Sequence, residues 1–220
     1  MESKTKISTL EQEKTDQAQR ISSYYKLHAK IYDASRWTFL FGRKTLLKLI
    51  PFSADAAIKI IEVGCGTGIN LHTLAHQFLN AQIIGYDVSP NMINESKKKL
   101  DIFGDRVKLI CAPYGADPHA ESENADCILF SYCLTMVNPQ YSELIERART
   151  DLKQNGVIAV VDFYDSNSAL FKNWMAVNHV RMEQHLSPHL LRNFITEQSF
   201  TKKAYASLWR YFLFIGKKSR

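Results

Sequence analysis

Between residues 58 and 163, short apolar runs alternate with stretches whose apolar positions recur every three or four residues. The runs "IKIIEVG" (58–64), "AQIIGYDV" (81–88), "RVKLICA" (106–112), "ADCILFSY" (125–132) and "GVIAVVDF" (156–163) have the length and β-branched content of buried strands. Helical spacing separates several of them, in "INLHTLAHQF", "SPNMINESKKKL" and "YSELIERARTDLKQ". Ser89 is placed to cap the second of these helices and Pro90 suits its first turn. Its three lysines fall near the end, where the helix dipole favours cations. A longer helical stretch is predicted over 167–198, and "KKAYASLWRYFLFIGKK" then reads as two strands with a very tight connection. Strands apolar on both faces and joined by helices make a parallel sheet covered on both sides. The prediction is an α/β fold: a doubly wound, mostly parallel seven-stranded sheet with a C-terminal antiparallel hairpin. Its ligand belongs at the carboxyl ends of strands one and four, where the winding reverses.

Upstream, residues 1–20 are polar, and Ile21, Tyr24, Tyr25, His28, Ile31 and Tyr32 then recur on one helical face. A further helix through "GRKTLLKLI" is expected to stop at Pro51. This divides the chain into an N-terminal helical extension or lid over 1–50 and a ligand-binding domain over 51–220. At 220 residues and 45% hydrophobic content the chain has ample material for a core. No apolar run approaches the roughly 18 residues of a membrane span, and the first twenty residues lack a signal-peptide apolar stretch. A cytoplasmic protein is expected.

Charge adds more. The net +6 is unevenly spread: residues 21–50 hold six bases and one acid, 201–220 hold six bases and no acid, and 51–200 hold 12 bases and 17 acids. Basic ends around an acidic middle suit an anionic partner surface, although simple solubility would produce the same pattern. Cys65, Cys111, Cys127 and Cys133 include no CxxC pair and are expected as reduced thiols in or near the core. His72 and His76 lie four apart on a helix with no evident third ligand, so no metal is expected.

The stretch "IIEVGCGTGIN" (60–70) carries the chemistry: a strand reaches a carboxylate, then three glycines at alternate positions. A dinucleotide loop would read G-x-G-x-x-G, but here the glycines are Gly64, Gly66 and Gly68. Glu62, so near the loop, would repel a pyrophosphate and can pair with an ammonium. Asp87 ends the second strand, nineteen residues after Gly68, where an acid typically grips a ribose diol. A ribose with a cationic tail describes S-adenosylmethionine; NAD fits badly.

"EVGCGTG" with "GYDVSPNM" resembles the class I S-adenosylmethionine-dependent methyltransferases. The resemblance implies that Glu62 reaches the methionine amino group and that Gly64, Gly66 and Gly68, with Cys65 and Thr67 between them, admit the methionine moiety. It places Asn70 at the helix start, Asp87 on the ribose, and Val88 and Met92 against the adenine; core packing is the other use for Met92. Many relatives carry an adenine-binding Asp or Asn where this chain has Pro113, so the contacts there fall to Ala112, Pro113 and nearby backbone. "YYKLHAKIYDASRWTFLFGR" (24–43), "FSYCLTMV" (130–137), "VVDF" (160–163) and "RYFLFIGKK" (210–218) are similar to the N-methyltransferases of betaine-lipid synthesis, which trimethylate diacylglyceryl-homoserine. That finer resemblance implies substrate contacts at Arg43 and at His185 of "HLSPH", where His189 stands in place of a more usual basic residue.

Methyl transfer is an in-line displacement at a sulfonium carbon, and the enzyme mainly aligns a neutral amine lone pair with it. A nearby Tyr, His or water can take the amine proton. Each added methyl makes the nitrogen a softer cation, best held by aromatic faces. Tyr24, Tyr25 and Tyr32, with Tyr132 after strand four, are the candidates, and a core-packed helix face would use the same spacing. Ser131 and Tyr132 at the end of strand four, Asp162 at the end of strand five, and Tyr25 are the expected lining of the reaction centre. These expectations describe a cytoplasmic enzyme, peripheral at the inner membrane face, that methylates a lipid amine and releases S-adenosylhomocysteine. Methylation of phosphatidylethanolamine, a quinone or another small molecule at N, O or C is the alternative. Nucleic acid is not expected: the amino-methylating (D/N)PP(Y/F) tetrapeptide is absent after strand four, where "SYCL" stands.

Overall fold

The computed structural model describes residues 39–116 and 122–219. The expected extension over residues 1–38, with Tyr24, Tyr25 and Tyr32, lies outside the described residues. In chain order the described elements are α1 (Arg43–Leu49), β1 (Lys59–Val63), α2 (Ile69–Gln77), β2 (Gln82–Asp87), α3 (Pro90–Leu100), β3 (Val107–Cys111), β4 (Ala125–Ser131), α4 (Tyr141–Asp151), β5 (Leu152–Ser166), α5 (Ala169–Val177), α6 (Leu186–Asn193), β6 (Ile195–Ala204) and β7 (Trp209–Lys217). The seven strands form one sheet in the order β3-β2-β1-β4-β5-β7-β6. β1 to β5 are mutually parallel, and β7 runs antiparallel between β5 and β6. Winding therefore reverses between β1 and β4, as the sequence pattern predicts.

Period-two alternation divides the strands between two cores. Ile60, Leu129, Val161 and Leu213 face the layer of α1, α2 and α3, with Leu46, Leu71, Leu74 and Leu100. Ile61, Ile128, Val160 and Phe212 face the layer of α4 and α6, with Ile145, Ala148 and Leu190. α1 belongs to the first core, because Leu46 and Leu47 are buried there. The caps act as the composition suggests: Ser89 Oγ accepts from Met92 N at 3.4 Å with Pro90 at the helix start, and Ser168 caps α5.

Two boundaries differ from expectation. α4 stops at Asp151 instead of continuing to Gln154, and β5 starts at Leu152. Asp151 is buried and accepts from Tyr114 Oη at 2.7 Å and Arg147 Nε at 2.9 Å, which ties the helix end to the loop after β3. The stretch expected as one helix over 167–198 is two short helices followed by β6 from Ile195. Positive φ at His179 and Gln184 breaks the helical path between them. β6 is an edge strand exposed along most of its length and carries Lys202 and Lys203, a charge placement that discourages edge-to-edge pairing. The hairpin turn puts Tyr205, Ala206 and Ser207 at positive φ, which accounts for its tightness. Cys111, expected in or near the core, is exposed at the end of edge strand β3.

Trp209 starts β7 fully buried, 5.1 Å from the Phe163 ring and 5.8 Å from the Tyr211 ring between centroids. Trp209→Ala should cost about 3–5 kcal/mol of unfolding free energy in urea titration, through lost burial and a cavity that packed strands cannot close. A loss below about 1 kcal/mol would mean the β5–β7 junction is not packed as described.

Candidate active site

The loop after β1 is held open by its backbone. Gly64, Gly66 and Gly68 have φ of 72°, 54° and 77°, in the left-handed region that glycine adopts without penalty. Two of them are also packed against neighbours. A Cβ on Gly64 would lie 2.8 Å from Cys133 Sγ, and one on Gly68 would overlap Ser96 Oγ and approach Leu100 Cδ1 to 2.9 Å. Above Gly66 a Cβ would meet nothing within 4 Å. That is the open side of the loop.

Glu62 sits beneath it, 1% exposed. Its Oε1 accepts from Asn70 Nδ2 at 2.7 Å, whereas Oε2 is buried with no hydrogen-bond partner among the described residues. Burial raises the carboxyl pKa from its ordinary 4.5 to about 8, against the opposing pull of the Asn70 hydrogen bond and the Arg43 charge. Such an oxygen is poorly matched to an anion and well matched to an ammonium. At the end of β2, half-buried Asp87 accepts from Gly66 N at 2.8 Å through Oδ2 and from Ser89 N at 2.9 Å through Oδ1. Two backbone donors fix the carboxylate beside the open side of the loop. The orphaned Glu62 oxygen, the space over Gly66 and the fixed Asp87 acid fit the ammonium, chain and ribose diol of S-adenosylmethionine.

Residues 60–156 match the methyltransferase-domain family. A malonyl-[acyl-carrier protein] O-methyltransferase of Priestia megaterium is 35% identical over 94 residues, which are 42% of this chain and 34% of that protein. The chain thus spans about a third of that relative's length. Among solved structures, the N-methyltransferase NodS from Bradyrhizobium japonicum, in complex with S-adenosyl-L-homocysteine, superposes with a TM-score of 0.66 at 16% identity, covering 81% of this chain and 86% of that one. The Burkholderia thailandensis 1,6-didemethyltoxoflavin-N1-methyltransferase superposes with a TM-score of 0.68 at 16% identity, over 96% of this chain and 90% of that one. Residues 60–156 are thus similar to methyltransferase domains, the surrounding fold is that of the class I methyltransferases, and the lining of the loop fits S-adenosylmethionine.

In this domain Cys65 and Thr67 are buried within the loop and Asn70 is buried below it. Val88 is half-buried after Asp87, at the rim. Met92 is 1% exposed and packs in the core with Leu71 and Leu100, so its side chain takes the packing role. Ala112 is half-buried and Pro113 exposed after β3, while the next residue, Tyr114, turns inward to Asp151. Ser131 ends β4 with its hydroxyl buried and without a partner among the described residues.

Two expected reaction-centre residues are structural instead. Tyr132 is 3% exposed, its ring lies 4.7 Å from that of Phe163, and its hydroxyl donates to the Phe41 carbonyl at 2.8 Å. Its φ of 55° turns the side chain off the end of the strand and into the core. Asp162 is fully buried: Oδ1 accepts from Thr135 Oγ1 at 2.5 Å and Phe163 N at 2.8 Å, and Oδ2 accepts from Thr135 N at 3.2 Å. Burial pushes its pKa up to about 6 although these donors oppose the rise. This carboxylate pins the turn after β4 and has no side open to a substrate. Ser96, Cys133 and Thr135 were not marked by any sequence spacing, because each acts across elements far apart in the chain.

Arg43 opens α1, close enough to Glu62 and Tyr132 for its charge to lower both pKa values. His185 precedes α6 with its ring centroid 4.7 Å from that of Tyr141, the first residue of α4. Both of its ring nitrogens are buried and have no hydrogen-bond partner among the described residues. Burial and the nearby Arg181 charge lower its pKa from 6.5 to about 4, so it is neutral at physiological pH. His189, beside it, lies 3.4 Å from Tyr141 Oη. The His72 and His76 rings, on α2, meet each other and Phe103 edge to face.

Gly66→Val should leave a folded protein, weakened by about 1–3 kcal/mol of left-handed backbone strain, and should abolish cofactor binding by filling the loop's open side. Circular dichroism reports the first and calorimetric titration with S-adenosylmethionine the second; retained binding would show that the ligand lies elsewhere.

Glu62 also predicts a pH dependence. The folded carboxyl keeps its proton up to about pH 8, while the unfolded chain releases it near 4.5, so between those values the folded state binds more protons. Stability of the cofactor-free protein therefore falls as pH rises through that window. Thermal melts of Glu62→Gln should lack this component, and the variant should gain on the wild type from pH 5 to pH 8 (a window set by the two pKa values). Parallel pH profiles for the two proteins would contradict the burial of an unpaired carboxyl.

Proposed function

We propose that the protein is an S-adenosylmethionine-dependent N-methyltransferase whose acceptor is a lipid amine, with diacylglyceryl-homoserine as the preferred candidate and the trimethylated betaine lipid as product. The observation that carries this reading is the convergence of the segments with betaine-lipid-enzyme resemblance. Residues 39–43, 130–137, 160–163 and the first residues of 210–218 are far apart in the chain, yet they meet near the carboxyl edge of the sheet. Tyr132 Oη donates to Phe41 O, Tyr132 N donates to Val161 O at 2.8 Å, Thr135 bonds Asp162, and the Phe41 and Tyr211 rings stack at 6.2 Å. The cluster adjoins the cofactor loop through Cys133 against Gly64 and through Arg43 near Glu62.

S-adenosylmethionine supplies an electrophilic methyl group on a sulfonium. Glu62 and Asn70 would receive the amino-acid end, Gly66 leaves room for the chain, and Asp87 would hold the ribose. Arg43 is suited to an anionic group of the acceptor, such as the carboxylate of a homoserine headgroup. The acceptor nitrogen must be neutral at transfer, and alignment of its lone pair accounts for most of the rate.

Lipid mass spectrometry of cells that produce both this protein and diacylglyceryl-homoserine tests the reading. Expected is accumulation of mono-, di- and trimethylated headgroups that disappears with Gly66→Val. Methyl transfer confined to a water-soluble acceptor, with no methylated lipid, would replace the lipid reading with small-molecule methylation.

A further inference from the structure

Among the described residues an apolar face is exposed beside this site. α5 buries Met175, but Leu170, Trp174 and Val177 share one stripe at positions i, i+4 and i+7 and are 83%, 52% and 80% exposed. The stripe continues onto two other elements through ring contacts. Phe39 lies 6.2 Å from Trp174 and 5.9 Å from Tyr205, and Phe41 lies 5.3 Å from Tyr205, between ring centroids. Phe41, Tyr205 and Leu208 are 38%, 48% and 41% exposed. An aromatic and aliphatic surface of this kind marks an interaction site more often than idle exposure.

Charge selects the partner. The three segments that build the face, residues 39–49, 166–182 and 200–213, contain eight lysines and arginines and no acid. Three of these bases are engaged by bordering acids: Lys172 and Arg210 pair with Asp165, and Arg181 with Glu183. Lys44, Lys48, Lys202 and Lys203 are exposed on the same segments. Aromatic residues with a surrounding basic field match the interface of an anionic bilayer, where rings enter the headgroup level and cations meet lipid phosphates. Among the described residues no helix is long and apolar enough to cross a membrane, so such contact would be peripheral.

Position ties the face to the chemistry. β7 pairs antiparallel with β5, Asp165 opposite Arg210 and Ser166 opposite Trp209, which brings the hairpin turn to the carboxyl edge of the sheet. The loop after β1 opens on that edge, and Phe41 joins the face to Tyr132 through its carbonyl. We propose that this face, centred on Phe39, Phe41, Trp174 and Tyr205, docks the protein on an anionic lipid bilayer and presents the methyl-transfer site to lipid headgroups. The inference rests on the lipid-acceptor reading above, which it supplies with a route for the substrate.

The test compares the full-length wild type with the triple variant Leu170→Ser, Trp174→Ser, Val177→Ser, all at exposed positions. Co-sedimentation with phosphatidylglycerol–phosphatidylcholine vesicles is measured at low and high salt, beside pure phosphatidylcholine vesicles. S-adenosylmethionine calorimetry and analytical ultracentrifugation accompany both proteins. Expected are wild-type binding to the anionic vesicles only, weakening with salt, and a reduction of about tenfold or more in the variant at unchanged cofactor affinity. No wild-type binding at low salt overturns the inference, as does equal binding by the variant. A wild-type dimer that the variant dissociates, without vesicle binding, assigns the face to a second copy of the chain and likewise overturns it. Methylation of detergent-dispersed diacylglyceryl-homoserine separates the two readings: activity there without vesicle binding removes only the docking, whereas docking without any lipid methylation removes the acceptor.

Discussion

A buried carboxyl group with only half its hydrogen-bonding capacity met is the constraint around which this site is organised. Glu62 is carried below the surface by β1, a strand apolar on both faces and paired on both edges. Burial of an unpaired carboxylate is costly enough that the group holds its proton unless a cation arrives. Asn70, on the helix that the glycine loop begins, satisfies one oxygen and leaves the other. The fold thus stores an affinity for a positive ligand at the point where the sheet winding reverses. Asp87 reinforces it from the neighbouring strand while holding the loop by Gly66 N. The same acid shapes the loop and, in the proposed reading, would hold the ribose of the ligand.

Around this centre the sheet supplies rigidity and the connections supply specificity. Asp162 and Thr135 fix the turn after β4, and Tyr132 locks that turn to the chain ahead of α1 through Phe41. Because Phe41 also contacts the hairpin residue Tyr205, the cofactor loop, the turn after β4 and the exposed aromatic face are mechanically continuous. A headgroup held at that face would meet a site whose walls are already set, so that binding energy is spent on alignment and not on ordering loops.

The sequence made the sheet legible because burial on both faces forces unbroken apolar runs, and the loop legible because glycine adopts its left-handed dihedrals without penalty. Gly64, Gly66, Gly68, Glu62 and Asp87 lie within one βαβ unit, where spacing along the chain maps directly to spacing in the fold. Tyr132 and Asp162 were read as lining the reaction centre, since both fall at the carboxyl ends of strands. Spacing places a residue at a strand end but does not say which way its side chain turns. The positive φ at Tyr132 and the Thr135 hydroxyl beside Asp162 decide that, and neither has a periodic signature. The aromatic face was equally hidden, assembled from residues 39–41, 170–177 and 205–208, which meet only in three dimensions.

Carbon-13 NMR of the Glu62 side-chain carboxyl, followed across pH with and without S-adenosylhomocysteine, addresses the central claim directly. In the ligand-free protein the carboxyl should titrate near pH 8, and the ligand's ammonium should hold it ionised well below neutrality. A titration near the ordinary 4.5 in the free protein, or one that the ligand leaves unmoved, would contradict the account.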